Sequence, residues 1–346
     1  MPALQFAFNA VESGYMPDSL IRSGIRRFLS ERLKEIHIND TESKIKLKQH
    51  FIEMMDESPI AHLPEKANEQ HYEINSNFYY EILGNRMKYS SGYWPDGVET
   101  LEESEIAALE ETCNHAEIRN GMDILELGCG WGSLTLWMGQ KYPSSRITAV
   151  SNSSSQKEFI EAKAKKMGIS NIKVITSDMN DFSTTELYDR VVSVEMFEHM
   201  RNYRIIFKNI AGWLKAGGKF FMHIFVHRDV PYLFEDTGPS DWMSRYFFSG
   251  GIMPSDDLPL VFQDDIRFIR QWRWDGTHYE RTLNEWLKKM DEKRDILAPF
   301  FEDTYGKDFK RLWWNRWRIF FMACAELFGY DEGQMWWVSH YLFEKK

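Results

Sequence analysis

Ile124-Leu125-Glu126-Leu127-Gly128-Cys129-Gly130-Trp131-Gly132-Ser133-Leu134 is an apolar run that stops on three glycines at alternate positions and resumes as an amphipathic segment. A strand ending on Gly-x-Gly-x-Gly turns tightly and brings backbone within van der Waals reach of a ligand, because no Cβ stands in the way. Many nucleotide and adenosyl sites share this motif, so its surroundings have to narrow the reading. Working outward, strand-like runs fall at 123–127, 146–150, 172–176, 189–194 and 218–226. Helical periods lie between the first four connections, at about 133–142, 155–167 and 201–215. Such alternation predicts an α/β fold, a Rossmann-like doubly wound sheet whose ligands bind at the carboxyl ends of the strands.

Before this core, apolar residues at Leu20, Ile21, Ile25, Phe28, Leu29, Leu33 and Ile36 give a helix from Pro17 to Ile36, capped by Asp18 or Ser19. Its other face carries Arg22, Arg26, Arg27, Arg32 and Lys34. That face reads as solvated, with a membrane surface or a subunit contact in a homodimer as the alternatives. A second helix, Lys44 to Glu57, stops at Ser58-Pro59, and a third, Glu102 to Glu117, leads into the first strand. Beyond 228 come an irregular segment at 229–262, a strand near 267–274, helices at about 281–302 and 307–328, and a strand near 335–343. Three parts follow: a helical N-terminal extension with covering loops at 1–100, the core at 101–228, and at 229–346 a helical and irregular cap whose last strands complete the sheet.

Across 346 residues the formal net charge is −10, which argues against nucleic acid as a partner and mildly favours a cationic small molecule. Three widely spaced cysteines suggest neither a disulfide framework nor a zinc site, and no metal is expected. The first thirty residues lack a basic stretch followed by a long apolar run, and no 18-residue apolar span occurs, so the expectation is a cytoplasmic protein with no membrane partner. Aromatics make up 15% of the chain, including 13 Trp, which suits either a bulky core or a cavity lined with flat side chains.

After its second strand a dinucleotide site expects Asp or Glu on the ribose, but this chain has Ser151-Asn152-Ser153-Ser154-Ser155-Gln156. A nicotinamide cofactor is disfavoured, while Asn152 and Gln156 offer amides to the ribose or amino-acid portion of another cofactor. After the third strand, Asp178 can accept from an adenine amino group and Met179 can cover its face; a helix cap or turn role for Asp178 competes.

The chain resembles the cyclopropane-fatty-acid-synthase superfamily of class I S-adenosylmethionine methyltransferases, and within it the coclaurine N-methyltransferase group with its pavine and tetrahydroprotoberberine enzymes. Matching residues include Gln70-His71-Tyr72-Glu73, Lys88-Tyr89-Ser90, Leu127 to Leu134, Ser155 to Ile160, Glu195-Met196-Phe197-Glu198-His199-Met200, Tyr246 to Gly251 and Ala325 to Tyr330. The resemblance runs from about residue 65 to the C-terminus. It implies S-adenosyl-L-methionine as cofactor and a small amine as substrate. Tyr89 and Ser90 would then contact the donor, Gly128 and Gly130 its methionine part, Asn152 and Gln156 its ribose, Asp178 and Met179 its adenine, with Val194 near the sulfonium.

Glu195, Glu198 and His199 directly follow the fourth strand and can face one cleft. An aliphatic amine is protonated near pH 7 and has no lone pair for attack on a sulfonium methyl. A carboxylate attracts the ammonium, and an imidazole with a pKa of about 6.5 accepts its proton. His199 is expected as base, Glu198 as the group that orients or supports its imidazolium, and Glu195 as the holder of the substrate cation. Capping of helix 201–215 by the two acids is the competing reading. Tyr72, Phe248, Trp317 and Phe320 are candidates for the acceptor pocket, with core packing the alternative for the last two. His223 and His227 share a face of the fifth strand through their spacing of four, whereas His37, His50, His62, His115 and His340 read as structural or surface groups.

The superfamily also includes lipid enzymes that hold a bicarbonate base. Where their pattern has Cys, Gly and Ile, this chain has Ser91, Glu195 and Phe225, while Glu198, His223 and Tyr279 of the anion site persist. Like-charge repulsion from Glu195 disfavours a bound anion, so amine N-methylation is expected over cyclopropanation or a catalytically silent adenosyl-binding module.

Overall fold

The computed structural model describes residues 8–36, 40–62, 76–238 and 241–346. Helices α1 (Asp18–Ile36), α2 (Thr41–Glu57) and α3 (Ser76–Ile82) precede α4 (Leu101–His115). The core then runs β1 (Asp123–Leu127), α5 (Ser133–Lys141), β2 (Arg146–Ser151), α6 (Ser154–Met167), β3 (Ile172–Thr176), β4 (Tyr188–Val194), α7 (Tyr203–Trp213) and β5 (Leu214–His227). After it come β6 (Tyr232–Leu233), α8 (Trp242–Tyr246), β7 (Ile252–Met253), β8 (Ile266–Trp274), α9 (Gly276–Glu292), α10 (Arg294–Tyr305), α11 (Lys310–Phe328) and β9 (Trp336–Lys345).

Seven strands form one sheet in the order β3-β2-β1-β4-β5-β9-β8. The first five pair in parallel, and β9 inserts antiparallel between β5 and β8. The order reverses beside β1, so the ends of β1 and β4 open side by side as a crevice. Strand patterning explains the placement: β1 and β4 are buried almost throughout, as strands covered on both faces must be.

The Gly-rich turn behaves as its residue types dictate. Gly132 caps α5 with φ +77°, a left-handed conformation, and a Cβ there would lie 2.5 Å from Ile160 Cγ1. Gly24, inside α1, has nothing within 4 Å of its ideal Cβ. Gly132→Ala is therefore expected to destabilise the protein by about 2–3 kcal/mol, from backbone strain plus overpacking. Gly24→Ala should stabilise it by about 1 kcal/mol through helix propensity. Denaturant midpoints of the two variants should move in opposite directions.

Two expectations need correcting. The helix foreseen at 281–302 is two helices, broken at Lys293, whose ammonium donates to the Glu81 carbonyl and carboxylate at 2.9 and 2.8 Å. It also begins earlier, because Asp275 caps it through the Thr277 N–H. The basic face of α1 is not simply solvated: Arg22 and Arg26 both pair with Glu326 on α11, at 2.9 and 2.6 Å. Those arginines tie the extension to the cap. Among the described residues no helix is long and apolar enough to cross a membrane.

Candidate active site

β4 delivers its last residue, Val194, to the crevice, and the chain then kinks at Glu195, a non-glycine residue with φ +48°. The lipid enzymes that the chain resembles carry glycine here, the residue for which this conformation is free of strain. Glu195 bears that cost, about 1 kcal/mol or more, and in doing so swings its carboxylate inward. The carboxylate is then held on three sides. Oε1 accepts from the Ser91 N–H at 2.9 Å and lies 3.1 Å from His223 Nε2, while Oε2 accepts from the Tyr279 hydroxyl at 2.6 Å.

Ser91, His223 and Tyr279 are positions that the resemblance assigns to the anion site of the lipid enzymes. In this chain the Glu195 carboxylate takes the hydrogen bonds of Ser91 and Tyr279 and faces His223 Nε2. Burial pushes its carboxyl above the usual range, and the Lys88 ammonium, the Tyr279 hydroxyl and the Ser91 N–H pull it back. Lys88 is itself buried, donates to Ser90 Oγ and the Ser91 carbonyl at 2.6 Å each, and is lowered to about 8 by desolvation. It is the nearby positive charge that the sequence reading missed, although it stands in the quoted Lys-Tyr-Ser loop.

A short 3₁₀ turn, Phe197–His199, carries the other two groups. Neither acid caps the following helix, since Asn202 does so by accepting from the Ile205 N–H at 3.0 Å. Glu198 is completely buried; Oε1 accepts from the Phe225 N–H at 2.8 Å, and Oε2 has no hydrogen-bond partner. Desolvation and the charge of Glu195 hold its carboxyl well above the ordinary value. That environment favours the protonated form of Glu198, against its expected part as the anion behind an imidazolium. The His199 ring lies 4.7 Å from Phe248, and burial lowers its pKa to about 4 while Glu195 opposes that shift.

The sign of the resulting pH dependence is fixed. His199 and His227, both lowered to about 4, stay neutral when folded but take up protons at their ordinary pKa when unfolded. The contribution of these two histidines to stability falls as pH drops from 6.5 toward 4, opposed by the raised carboxyl of Glu198. Thermal midpoints across that interval check it, and replacing His227 by Gln should flatten the decline.

Beside this cluster a cavity runs along the strand ends, walled by Tyr89, Ser90, Glu126, Gly128, Gly130, Ser133, Val194 and Glu195. Gly130 has open space where a Cβ would stand. Glu126 was missed by the sequence reading: it is buried against Thr135 Oγ1 at 2.6 Å and raised to about 8 by desolvation. Farther along the same sheet edge stand Asn152, exposed after β2, and Gln156, whose Oε1 accepts from Ser151 at 2.6 Å while its Nε2 is buried without a partner. Asp178 and Met179 follow β3, and Asp178 Oδ1 accepts from the Asn180 N–H at 2.7 Å. The unpaired Ser133 Oγ and Gln156 Nε2, with the open wall at Gly130, fit an elongated polar ligand lying across β1, β2 and β4.

The expected acceptor residues divide. Phe248 and Tyr279 touch the cluster, and His223 meets it through Glu195. Trp317 and Phe320 belong to the largest aromatic core, with Trp317 1% exposed and Phe320 stacked on Phe247 at 4.4 Å. Their burial supports packing, the competing reading. Tyr72 lies outside the described residues.

A family model described as mycolic acid cyclopropane synthetase matches residues 62–338. The chain is 37% identical to (S)-coclaurine N-methyltransferase of Thalictrum flavum subsp. glaucum, over 97% of this chain and 94% of that protein. Pavine N-methyltransferase of the same plant is 33% identical, over 97% of this chain and 95% of its own length. A crystal structure of coclaurine N-methyltransferase bound to N-methylheliamine and SAH superposes with a TM-score of 0.96 at 36% identity, covering 99% of this chain and 100% of that one.

Proposed function

The chain belongs to the mycolic acid cyclopropane synthetase family as an S-adenosylmethionine-dependent N-methyltransferase, and we propose that it methylates a small cyclic amine of benzylisoquinoline type. The observation that carries this reading is the Glu195 carboxylate, seated among Ser91, His223 and Tyr279. A carboxylate fixed there attracts an ammonium and leaves no place for a free anion. Phe248 offers a ring face to the cation, a contact that contributes about 0.5–2 kcal/mol.

When bound, S-adenosylmethionine supplies a methyl group on a sulfonium that carries its own leaving group. Tyr89, Ser90, Gly128, Gly130, Asn152, Gln156, Asp178, Met179 and Val194 would hold it. The cap that follows the core would keep water from the reacting atoms. Glu195 draws in the protonated amine, and His199, already neutral, accepts the proton with Glu195 supporting the imidazolium. The nitrogen lone pair so freed is aligned for in-line attack, which needs chiefly positioning. Because burial keeps His199 neutral from about pH 4 upward, a rise of activity through neutral pH reports loss of the acceptor's proton and not that of the imidazole.

The test pairs labelled donor with a panel of benzylisoquinoline-type secondary and tertiary amines and, separately, with unsaturated phospholipid vesicles. Label is expected in the amines alone. Transfer only to lipid would overturn the reading.

A further inference from the structure

Behind Glu195 the hydrogen bonds do not stop. His223 Nδ1 lies 2.8 Å from His340 Nε2, His340 Nδ1 lies 2.8 Å from His115 Nδ1, and His115 Nε2 lies 3.1 Å from Glu111 Oε2. His223 and His340 are completely buried and face each other across β5 and β9, while His115 ends α4. At the far end the His115 and Glu111 side chains are 12% and 36% exposed. Three imidazoles thus join a catalytic-site carboxylate to a partly exposed carboxylate on α4. Trp272 stacks on His115 at 4.0 Å, and Trp274 packs on His340 at 4.3 Å, so the row is insulated by aromatic walls.

We propose that Glu195, His223, His340, His115 and Glu111 form a proton outlet that carries the acceptor amine's proton to solvent while the site is closed to water. This rests on the N-methyltransferase reading. Proton counting supports it: four contacts link the five groups, and three neutral imidazoles bring three protons, so one contact is always short of a proton. Burial lowers the pKa of each imidazole, which keeps the row neutral and able to accept. The charged groups facing it are Lys88, beside Glu195, His223 and His340, and Arg270, beside His115; both disfavour a cation resting in the row.

The steps balance. A proton reaches Glu195 from the ammonium by way of His199 and passes to His223 Nε2. His223 gives its Nδ1 proton to His340 Nε2, and His340 gives its Nδ1 proton to His115 Nδ1. His115 releases its Nε2 proton to Glu111 and water. After product leaves, one proton entering at Glu111 and leaving through the open site returns each ring to its starting tautomer. The net result is one proton released per methyl transferred.

Two measurements on the full chain test the outlet. In wild-type enzyme, turnover should be indifferent to buffer concentration. His115→Ala, at the accessible end, should lower kcat by about a hundredfold, in the range of a positioned proton acceptor, and added imidazole should restore it. A structural histidine would show no such rescue, so an unrescued loss, or no loss, overturns the outlet. The second measurement needs no substrate: with 15N-labelled histidine, Glu195→Gln should shift the ring nitrogens of His115 as well as those of His223. An unmoved His115 overturns the outlet too. Absence of any amine methylation by wild-type enzyme would instead sink the underlying reading, and the nitrogen shifts would still judge the row.

Discussion

Glu195→Gly lowers kcat/KM for the amine by about a thousandfold, within the range that a proton-handling group contributes, and bicarbonate restores part of the loss. Both halves follow from the geometry. Glycine accepts φ +48° without strain, so the fold survives the change and the backbone relaxes. The vacated place keeps the Ser91 N–H and the Tyr279 hydroxyl, donors suited to a small oxyanion, with His223 Nε2 beside them. Glu195→Gln should be as inactive yet resist rescue, because its amide fills the same place. Steady-state kinetics with and without bicarbonate separate the two variants. If both retain wild-type acceptor kinetics, Glu195 is structural.

His199→Ala has the second large effect: kcat falls by about a hundredfold or more, while donor affinity stays close to that of the wild type. The reason is position. His199 sits on the 3₁₀ turn beyond β4, against Phe248, and the donor cavity is walled instead by the Gly-rich turn and the Lys-Tyr-Ser loop. Calorimetric titration with S-adenosylhomocysteine measures the donor side alone. Equal collapse of binding and turnover would mark the imidazole as a packing group.

Much of this site could be read along the chain because its parts are local. The Gly-x-Gly-x-Gly turn, the acids after β4 and the amides after β2 each lie within a few residues of a strand end, and a parallel sheet lines such ends up automatically. What escaped were partners brought from a distance. Lys88 was quoted but given no role, since only the folded loop places its ammonium beside Glu195. His340 and His115 read as structural because 225 residues separate them, and nothing in either neighbourhood announces a 2.8 Å contact. Trp317 and Phe320 could be read along the chain as pocket or as core residues, and only the fold shows how deeply they pack.

Periodicity and residue chemistry alone fixed the strand-helix alternation and the acidic cluster, and the resemblance of local motifs supplied the family, for these depend on neighbours in sequence. The three-dimensional arrangement decided the charge states. Burial raises the Glu198 carboxyl well above its ordinary value and lowers His199 to about 4, and the Glu195 carboxyl group is clamped in place with an imidazole row behind it. A pKa depends on desolvation and on charges a few ångströms away, and those distances exist only once the chain has folded.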